Sequence, residues 1–138
     1  MPPTPRMAVS RCRPCWSDAM TIHQLTIHEA HTLLATGETS AIELTEALLA
    51  RIQATDGAVK AYLNVTEETA RQQARAADER RAAGEDGPLL GIPLAIKDVL
   101  CTRSTPTTAG SRILENFIPP YDATVVTRLQ EAGAVILG

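Results

Sequence analysis

The fold is decided by two apolar runs, Leu89-Leu-Gly-Ile-Pro-Leu-Ala-Ile-Lys97 and Ala134-Val-Ile-Leu137. Each run has the length and apolar character of a buried strand. Between them, Asp122 is the predicted N-cap of a helix through Ala132, and Gly133 is its predicted stop. Strand, helix and strand in this order form a βαβ unit, whose strands lie parallel with a right-handed crossover. The predicted fold class is therefore α/β.

The preceding residues are predicted to be mainly helical. Thr26-Ile-His-Glu29 and Ser40-Ala-Ile-Glu43 match the capping box, in which a hydroxyl and a carboxylate bind the free N–H groups of a helix start. The first box predicts a short helix ending near Gly37, and the second predicts a helix through about Ala54. The other expected elements are a turn at Asp56-Gly57, a strand over Ala61–Val65, a polar surface helix over residues 67–83 with Ala70, Ala74 and Ala77 on its apolar face, and a short Arg112–Phe117 helix capped by Ser111.

Composition excludes two classes of protein. The net charge is −3, so the composition does not indicate the basic surface that direct nucleic-acid binding needs. No apolar stretch approaches the length of a membrane-spanning helix, and we expect no membrane partner. The cysteine count is 3, and an odd number without a signal peptide predicts reduced thiols in the cytoplasm.

Residues 1–19 differ in composition from the rest, with four prolines, three arginines and Asp18 as the single acid. Prolines break helices, and the segment lacks the apolar core of a secretory signal. It is interpreted as a disordered tail or as translated upstream sequence before a true start at Met20, and we prefer the second. Residues 20–138 are then the folded part. Two parallel strands and a few helices bury each other poorly, which predicts the front portion of a larger domain.

Metal and cofactor sites are not predicted in this chain. Cys12-Arg-Pro-Cys15 has the spacing of half a zinc site or of a redox pair, but no second pair accompanies it. His28 and His31 lie three residues apart, and His28-Glu29 begins a zinc-protease pattern that needs a second histidine at position 32, where threonine stands. These histidines are therefore predicted to lie on a solvated helix face.

Lys97 is one of only two lysines and ends an apolar run. Strand alternation places it on one face with Pro93 and Ala95, and places Asp98 on the other face. A lysine that is desolvated without a carboxylate has a lowered pKa and can act as a neutral general base. The strand by itself favours the alternative, a lysine that extends to solvent.

The sequence from Gly87 to Asp98, Gly-Pro-Leu-Leu-Gly-Ile-Pro-Leu-Ala-Ile-Lys-Asp, resembles the lysine motif of the amidase signature family. The resemblance covers about residues 22–138 and implies that residues 20–138 are the N-terminal portion of an incomplete amidase domain. Other stretches resemble the glutamyl-tRNA(Gln) amidotransferase branch of that family in particular: Cys101-Thr102, Thr107-Thr108, Ser111–Phe117, Pro119–Val126 and Ala132–Gly138.

The resemblance implies a Ser–Ser–Lys triad in which Lys97 is the lysine. Lys97 would deprotonate a bridging serine, which activates a nucleophilic serine against the carboxamide of glutamine. In the family both serines come from a glycine- and serine-rich segment, and no Gly-Gly-Ser-Ser-like run is present here. The 138-residue chain is therefore expected to be inactive alone.

No other residue is expected to replace the missing nucleophile. Ser104 and Ser111 follow Lys97, but neither lies on a turn that would present a nucleophile, and Ser111 fits a helix cap. Thr107 and Thr108 are expected to bond the loop backbone or to line a pocket edge. Cys101 has no histidine between residues 32 and 138 to act as its base.

The function implied by the resemblance is hydrolysis of glutamine to supply ammonia for converting Glu-tRNA(Gln) to Gln-tRNA(Gln), the reaction of a carbon–nitrogen ligase. The implied partners are amidotransferase subunits B and C. ATP, magnesium and tRNA would be bound by the partner subunit, and aspartyl-tRNA specificity stays open. The alternatives are a portion of another amidase signature enzyme acting on a free amide, and a non-catalytic interaction protein that uses the front helices for docking.

Overall fold

The computed structural model describes residues 22–138. Within that range the elements are α1 (Ile27–Thr36), α2 (Ala41–Val59), α3 (Glu67–Ala82), β1 (Pro93–Leu94), α4 (Thr124–Glu131) and β2 (Val135–Ile136), with 3-10 helices at Ile22–Gln24 and Arg112–Leu114. The strands are parallel, so the predicted βαβ unit and α/β class are confirmed. No helix in residues 22–138 is both long and apolar enough to cross a membrane. The interpretations of residues 1–19, of Met20 and of Cys12 and Cys15 lie outside the described residues.

The sheet is shorter than the predicted run over Leu89–Lys97. Its regular pairing joins Pro93 to Val135 and Leu94 to Ile136. Main-chain hydrogen bonds continue on both sides, from Gly91 N to Gly133 O and from Ile96 N to Gly138 O, each at 2.8 Å. The run begins with a turn instead, because Ile92 N donates to Leu89 O at 3.0 Å.

The other edge of β2 is bonded by side chains and by the start of α3. Ile136 N donates to Gln73 Oε1 at 2.8 Å. Thr66, the N-cap of α3, donates from its N–H to Leu137 O at 2.8 Å and from its hydroxyl to Ile136 O at 3.2 Å. Since main-chain polar groups need partners when they leave water, these contacts take the place of a neighbouring strand.

Both capping boxes form as predicted. Thr26 Oγ1 accepts from Glu29 N at 3.3 Å, and Glu29 Oε2 accepts from Thr26 N at 2.8 Å. The same reciprocal pair joins Ser40 and Glu43 at the start of α2. Gly37 ends α1 with a left-handed φ of 70°, a conformation that glycine adopts without a Cβ penalty.

The predicted turn at Asp56-Gly57 and the predicted end of α2 near Ala54 are wrong, because α2 continues to Val59. A glycine inside a helix costs only about 1 kcal/mol relative to alanine, so Gly57 does not end it. The helix ends at Lys60, which is left-handed at φ 55°. The Asp56 carboxylate then accepts from the N–H groups of the two residues after Lys60, at 2.7 and 3.3 Å.

The strand predicted over residues 61–65 is also wrong. This segment is irregular, since its first N–H groups bind the Asp56 carboxylate and its end is held by the contacts of Thr66 to β2. It nevertheless lies beside the end of β2, where a Cβ on Gly138 would contact Tyr62 and Asn64.

Helix α3 begins at the predicted residue, ends one residue before the predicted end, and packs one face against the core. Ala70 and Ala74 are fully buried, and Ala77 is 2% exposed. The Asp78 carboxylate accepts from Ala41 N at 2.7 Å and from Ile42 N at 3.1 Å, so α3 also caps the N-terminus of α2. The surrounding core contains Leu34, Leu44, Leu49, Leu90, Ile92, Val135 and Leu137.

The prediction that Asp122 caps α4 is wrong. Ala123 occupies the N-cap position without a side-chain hydrogen bond, whereas Asp122 Oδ1 accepts from Arg103 N at 2.7 Å. The stop at Gly133 is confirmed by its φ of 81°. Ser111 is an N-cap as predicted, but the helix it starts is only the short 3-10 helix and does not reach Phe117.

Candidate functional site

Lys97 follows β1 and lines a cleft of about 500 Å³. The walls of this cleft are the segment 61–66, the stretch from Ala95 to Leu100, the loop from Thr102 to Thr107, and the end of β2 at Ile136 and Gly138. The cleft therefore lies at the carboxyl ends of two parallel strands. In open α/β sheets this edge is the usual place for ligands.

The side chain of Lys97 is exposed in the described structure. This exposure agrees with the alternative prediction, in which the lysine extends to solvent. Residues 22–138 do not bury the side chain. As expected, Asp98 does not pair with it, and no carboxylate of the described residues lies within ion-pair distance of the ammonium. The role of Lys97 as a base stays a prediction.

Asp98 instead holds the loop that follows. Its carboxylate accepts from Thr108 N at 2.9 Å, from Thr108 Oγ1 at 2.6 Å and from Gly110 N at 3.2 Å. The Thr108 hydroxyl contributes most, and with the N–H groups of Thr108 and Gly110 it lowers the pKa of Asp98 below its ordinary value. The predicted loop contact of Thr108 thus goes to this side chain, a partner that the sequence did not indicate.

The hydroxyl groups of Thr102 and Thr107 donate to nearby main-chain oxygens. Thr107 is 5% exposed, donates from Oγ1 to Thr105 O at 3.3 Å and lines the cleft, as expected. Ser104 has a left-handed φ of 59° and donates its N–H to Pro119 O. Ser104 and Ser111 do not line the cleft, so neither is brought to Lys97.

Tyr62 and Asn64 line the same cleft and were not predicted. Burial raises the pKa of Tyr62, and the Asp56 charge raises it further. No local signal indicated their placement, because it depends on Thr66 binding a strand 70 residues away.

The remaining reactive side chains form no second centre among the described residues. Cys101 Sγ lies 3.8 Å from Tyr121 Oη, a contact that raises the pKa of the tyrosine. His28 is exposed, whereas His31 Nε2 lies 3.3 Å from Asp86 Oδ1. Among residues 22–138, no three His, Cys, Asp or Glu side chains are grouped to hold a metal ion.

Comparison with known proteins gives consistent matches. The family model described as Amidase matches residues 43–138. The glutamyl-tRNA(Gln) amidotransferase A-subunit of Chloroflexus aggregans is 58% identical over 85% of this chain and 24% of its own length. That of Geobacter sulfurreducens is 57% identical over 86% of this chain and 24% of its own length. The native peptide amidase of Stenotrophomonas maltophilia is similar in structure, with a TM-score of 0.78, 36% identity, and coverage of 83% of this chain and 24% of the other. The chain thus spans about a quarter of the length of these relatives.

Proposed function

The chain belongs to the amidase family, and from this membership we propose that it supplies the lysine-bearing part of the amidase subunit of a glutamyl-tRNA(Gln) amidotransferase. The observation that carries the proposal is the place of Lys97, at the carboxyl end of β1 and open to a cleft of about 500 Å³. The identity of 58% to a relative of that name supports the choice within the family.

In this proposal Lys97 is the general base of glutamine hydrolysis. Its amine takes a proton from a bridging serine, which takes the proton of a nucleophilic serine as that serine attacks the carboxamide carbon of glutamine. The carbon–nitrogen bond breaks and ammonia leaves with a proton returned from the same relay, which leaves a glutamyl ester on the nucleophilic serine. Water, deprotonated through the relay, then cleaves this ester, and the serine regains its proton as glutamate is released. Both serines belong to the part of the relatives' length that this chain does not span, and the open cleft beside Lys97 is where they would be placed.

The ammonia would be used by a complex. We propose that subunits B and C complete it, that the partner subunit binds ATP, magnesium and the tRNA, and that the complex works in the cytoplasm. The net charge of −3 agrees with leaving the tRNA to a partner.

The test is a chimera in which residues 22–138 replace the matching segment of the Chloroflexus aggregans relative. We expect the chimera, assembled with that relative's partner subunits, to release ammonia from glutamine and to amidate Glu-tRNA(Gln). Lys97→Met keeps the length of the side chain but removes the base, so glutamine hydrolysis should fall about 10²–10⁴-fold. Lys60→Met, at the other lysine, is the matched control and should keep the activity. A Lys97→Met chimera as active as this control would refute the role.

A second candidate is an amidase that acts on free amides, which the similarity to the peptide amidase favours. The same chimera separates the two, because hydrolysis of peptide amides without tRNA amidation would support the second candidate. A third is a non-catalytic interaction protein, which a tight stoichiometric complex of the unfused chain with an unrelated partner would support.

The 138-residue polypeptide alone is proposed to be inactive, since it holds one member of the triad. Glutamine hydrolysis by this polypeptide at a rate that depends on Lys97 would refute this proposal.

A further inference from the structure

The loop from Cys101 to Ser111, here called the threonine loop, forms one wall of the Lys97 cleft through Thr102, Thr105 and Thr107. Its far end contains two successive left-handed residues, Ala109 at φ 49° and Gly110 at φ 65°. For a residue with a Cβ this conformation is unfavourable, so contacts from outside the loop are needed to hold it.

Asp98 provides those contacts. Its carboxylate binds Thr108 through both the N–H and the hydroxyl, and binds Gly110 through the N–H, at 2.6–3.2 Å. Its main-chain oxygen accepts from Ala109 N at 3.1 Å. Three consecutive loop residues are therefore bound by one residue, and hydrogen bonds to a charged acceptor are stronger than neutral ones.

Asp98 is also the residue directly after Lys97. Both residues line the cleft, and the Asp98 carboxylate also binds the threonine loop. A displacement of the loop relative to Asp98 is thus a displacement of the cleft wall relative to Lys97.

We propose that Asp98 is a positioning residue that sets the distance between the threonine loop and the Lys97 side chain. The inference rests on the proposed function, because the position of Lys97 matters only if Lys97 is the base. Asp98 itself exchanges no proton with a substrate and acts only through the loop.

The test uses the full 138-residue chain, whose two lysines provide an internal reference. Trace labelling with acetic anhydride over a pH series, followed by mass spectrometry, gives the ratio of labelled Lys97 to labelled Lys60. Hydrogen exchange of the Thr108 and Gly110 amides is measured in parallel. Neither readout requires hydrolysis of an amide. A failure of the Asp98 proposal is therefore distinguishable from a failure of the proposed role of Lys97.

Two variants separate position from charge. Asp98→Ala removes all three hydrogen bonds of the carboxylate, and Thr108→Val removes the shortest of them while the charge at position 98 remains. We expect exchange at Gly110 to accelerate at least tenfold in Asp98→Ala, with at least a twofold change in the labelling ratio. Thr108→Val should change both in the same direction and by less. Glu79→Ala, which removes an exposed carboxylate of α3 that does not line the cleft, should leave the ratio unchanged.

Two results would overturn the proposal. If the labelling ratio is the same in wild type and Asp98→Ala, the loop does not set the surroundings of Lys97. If the ratio changes in Asp98→Ala but not in Thr108→Val, the effect comes from the neighbouring charge and not from position.

Discussion

At Gly91 the turn before β1 packs against the start of α2, and Gly91→Ala tests that packing. Its φ is 79°, so any Cβ there costs about 1–2 kcal/mol from the left-handed backbone alone. A Cβ would also lie 2.9 Å from the Cβ of Ala41, which is fully buried. Ala41 cannot move away easily, because the Asp78 carboxylate holds its N–H at 2.7 Å.

The expected loss for Gly91→Ala is about 2–5 kcal/mol, since overpacking adds about 1–3 kcal/mol to the backbone term. Gly37→Ala is the matched control, because Gly37 has a similar φ of 70° but nothing within 4 Å of the added Cβ. It should cost only about 1–2 kcal/mol. The smaller entropy of the unfolded chain favours both variants equally and cancels in the comparison.

The assay is urea unfolding of the 138-residue chain and both variants, followed by circular dichroism and fitted for the free energy of unfolding. Equal losses in Gly91→Ala and Gly37→Ala would refute the reasoning, because the contact with Ala41 would then carry no energy. A larger loss in Gly37→Ala would refute it as well.

Three further changes have expected outcomes. Asp78→Ala removes two charge-assisted hydrogen bonds from the start of α2 and should lower the free energy of unfolding in urea by about 2–4 kcal/mol. The control Glu79→Ala, at an exposed neighbour, should lower it by less than about 0.5 kcal/mol. Similar losses in the two variants would contradict the capping role of Asp78. Ala74→Leu inserts a large side chain at a fully buried site of α3 and should lower the free energy of unfolding by about 1–3 kcal/mol. Ala76→Leu, on the exposed face of the same helix, should change it little. A larger loss in Ala76→Leu than in Ala74→Leu would exclude the packing described. Because folding lowers the pKa of Asp98, its carboxylate stabilises the fold above the unfolded pKa of about 3.9, and this contribution is lost as pH falls through the lower folded value. The stability gap between wild type and Asp98→Asn should therefore be present at pH 6 and shrink below about pH 4, and a gap that does not change with pH would contradict the assignment.

Local features of the chain were predictable from sequence because the interacting groups are close together in it. The capping boxes at Thr26 and Ser40 each join residues three apart, and both form as expected. The stops at Gly37 and Gly133 depend on one residue's freedom to adopt a positive φ. The parallel pairing of β1 and β2 followed from a strand, helix and strand in succession.

Two of the errors occurred at aspartates whose carboxylates bind main-chain groups other than those that the local pattern indicates. Asp56-Gly57 is a turn signal, but α2 continues past it until the Asp56 carboxylate can bind the N–H groups beyond Lys60. Asp122 is a good N-cap residue, but its carboxylate binds Arg103 N, 19 residues away. In each case the main-chain group that the carboxylate binds lies outside the local pattern.

By itself, the sequence determined the α/β class, the two helix starts and the glycine stops, because each depends on neighbouring residues. It also indicated Lys97 as the candidate base through an unbroken motif, and that role stays a proposal. The tertiary structure alone decided that Tyr62 and Asn64 line the cleft with Lys97, that Asp78 caps α2, and that Asp98 holds the threonine loop. These arrangements join elements that lie far apart in the chain. They depend on how the helices, the sheet and the loops pack, since packing brings their donors and acceptors within hydrogen-bond distance.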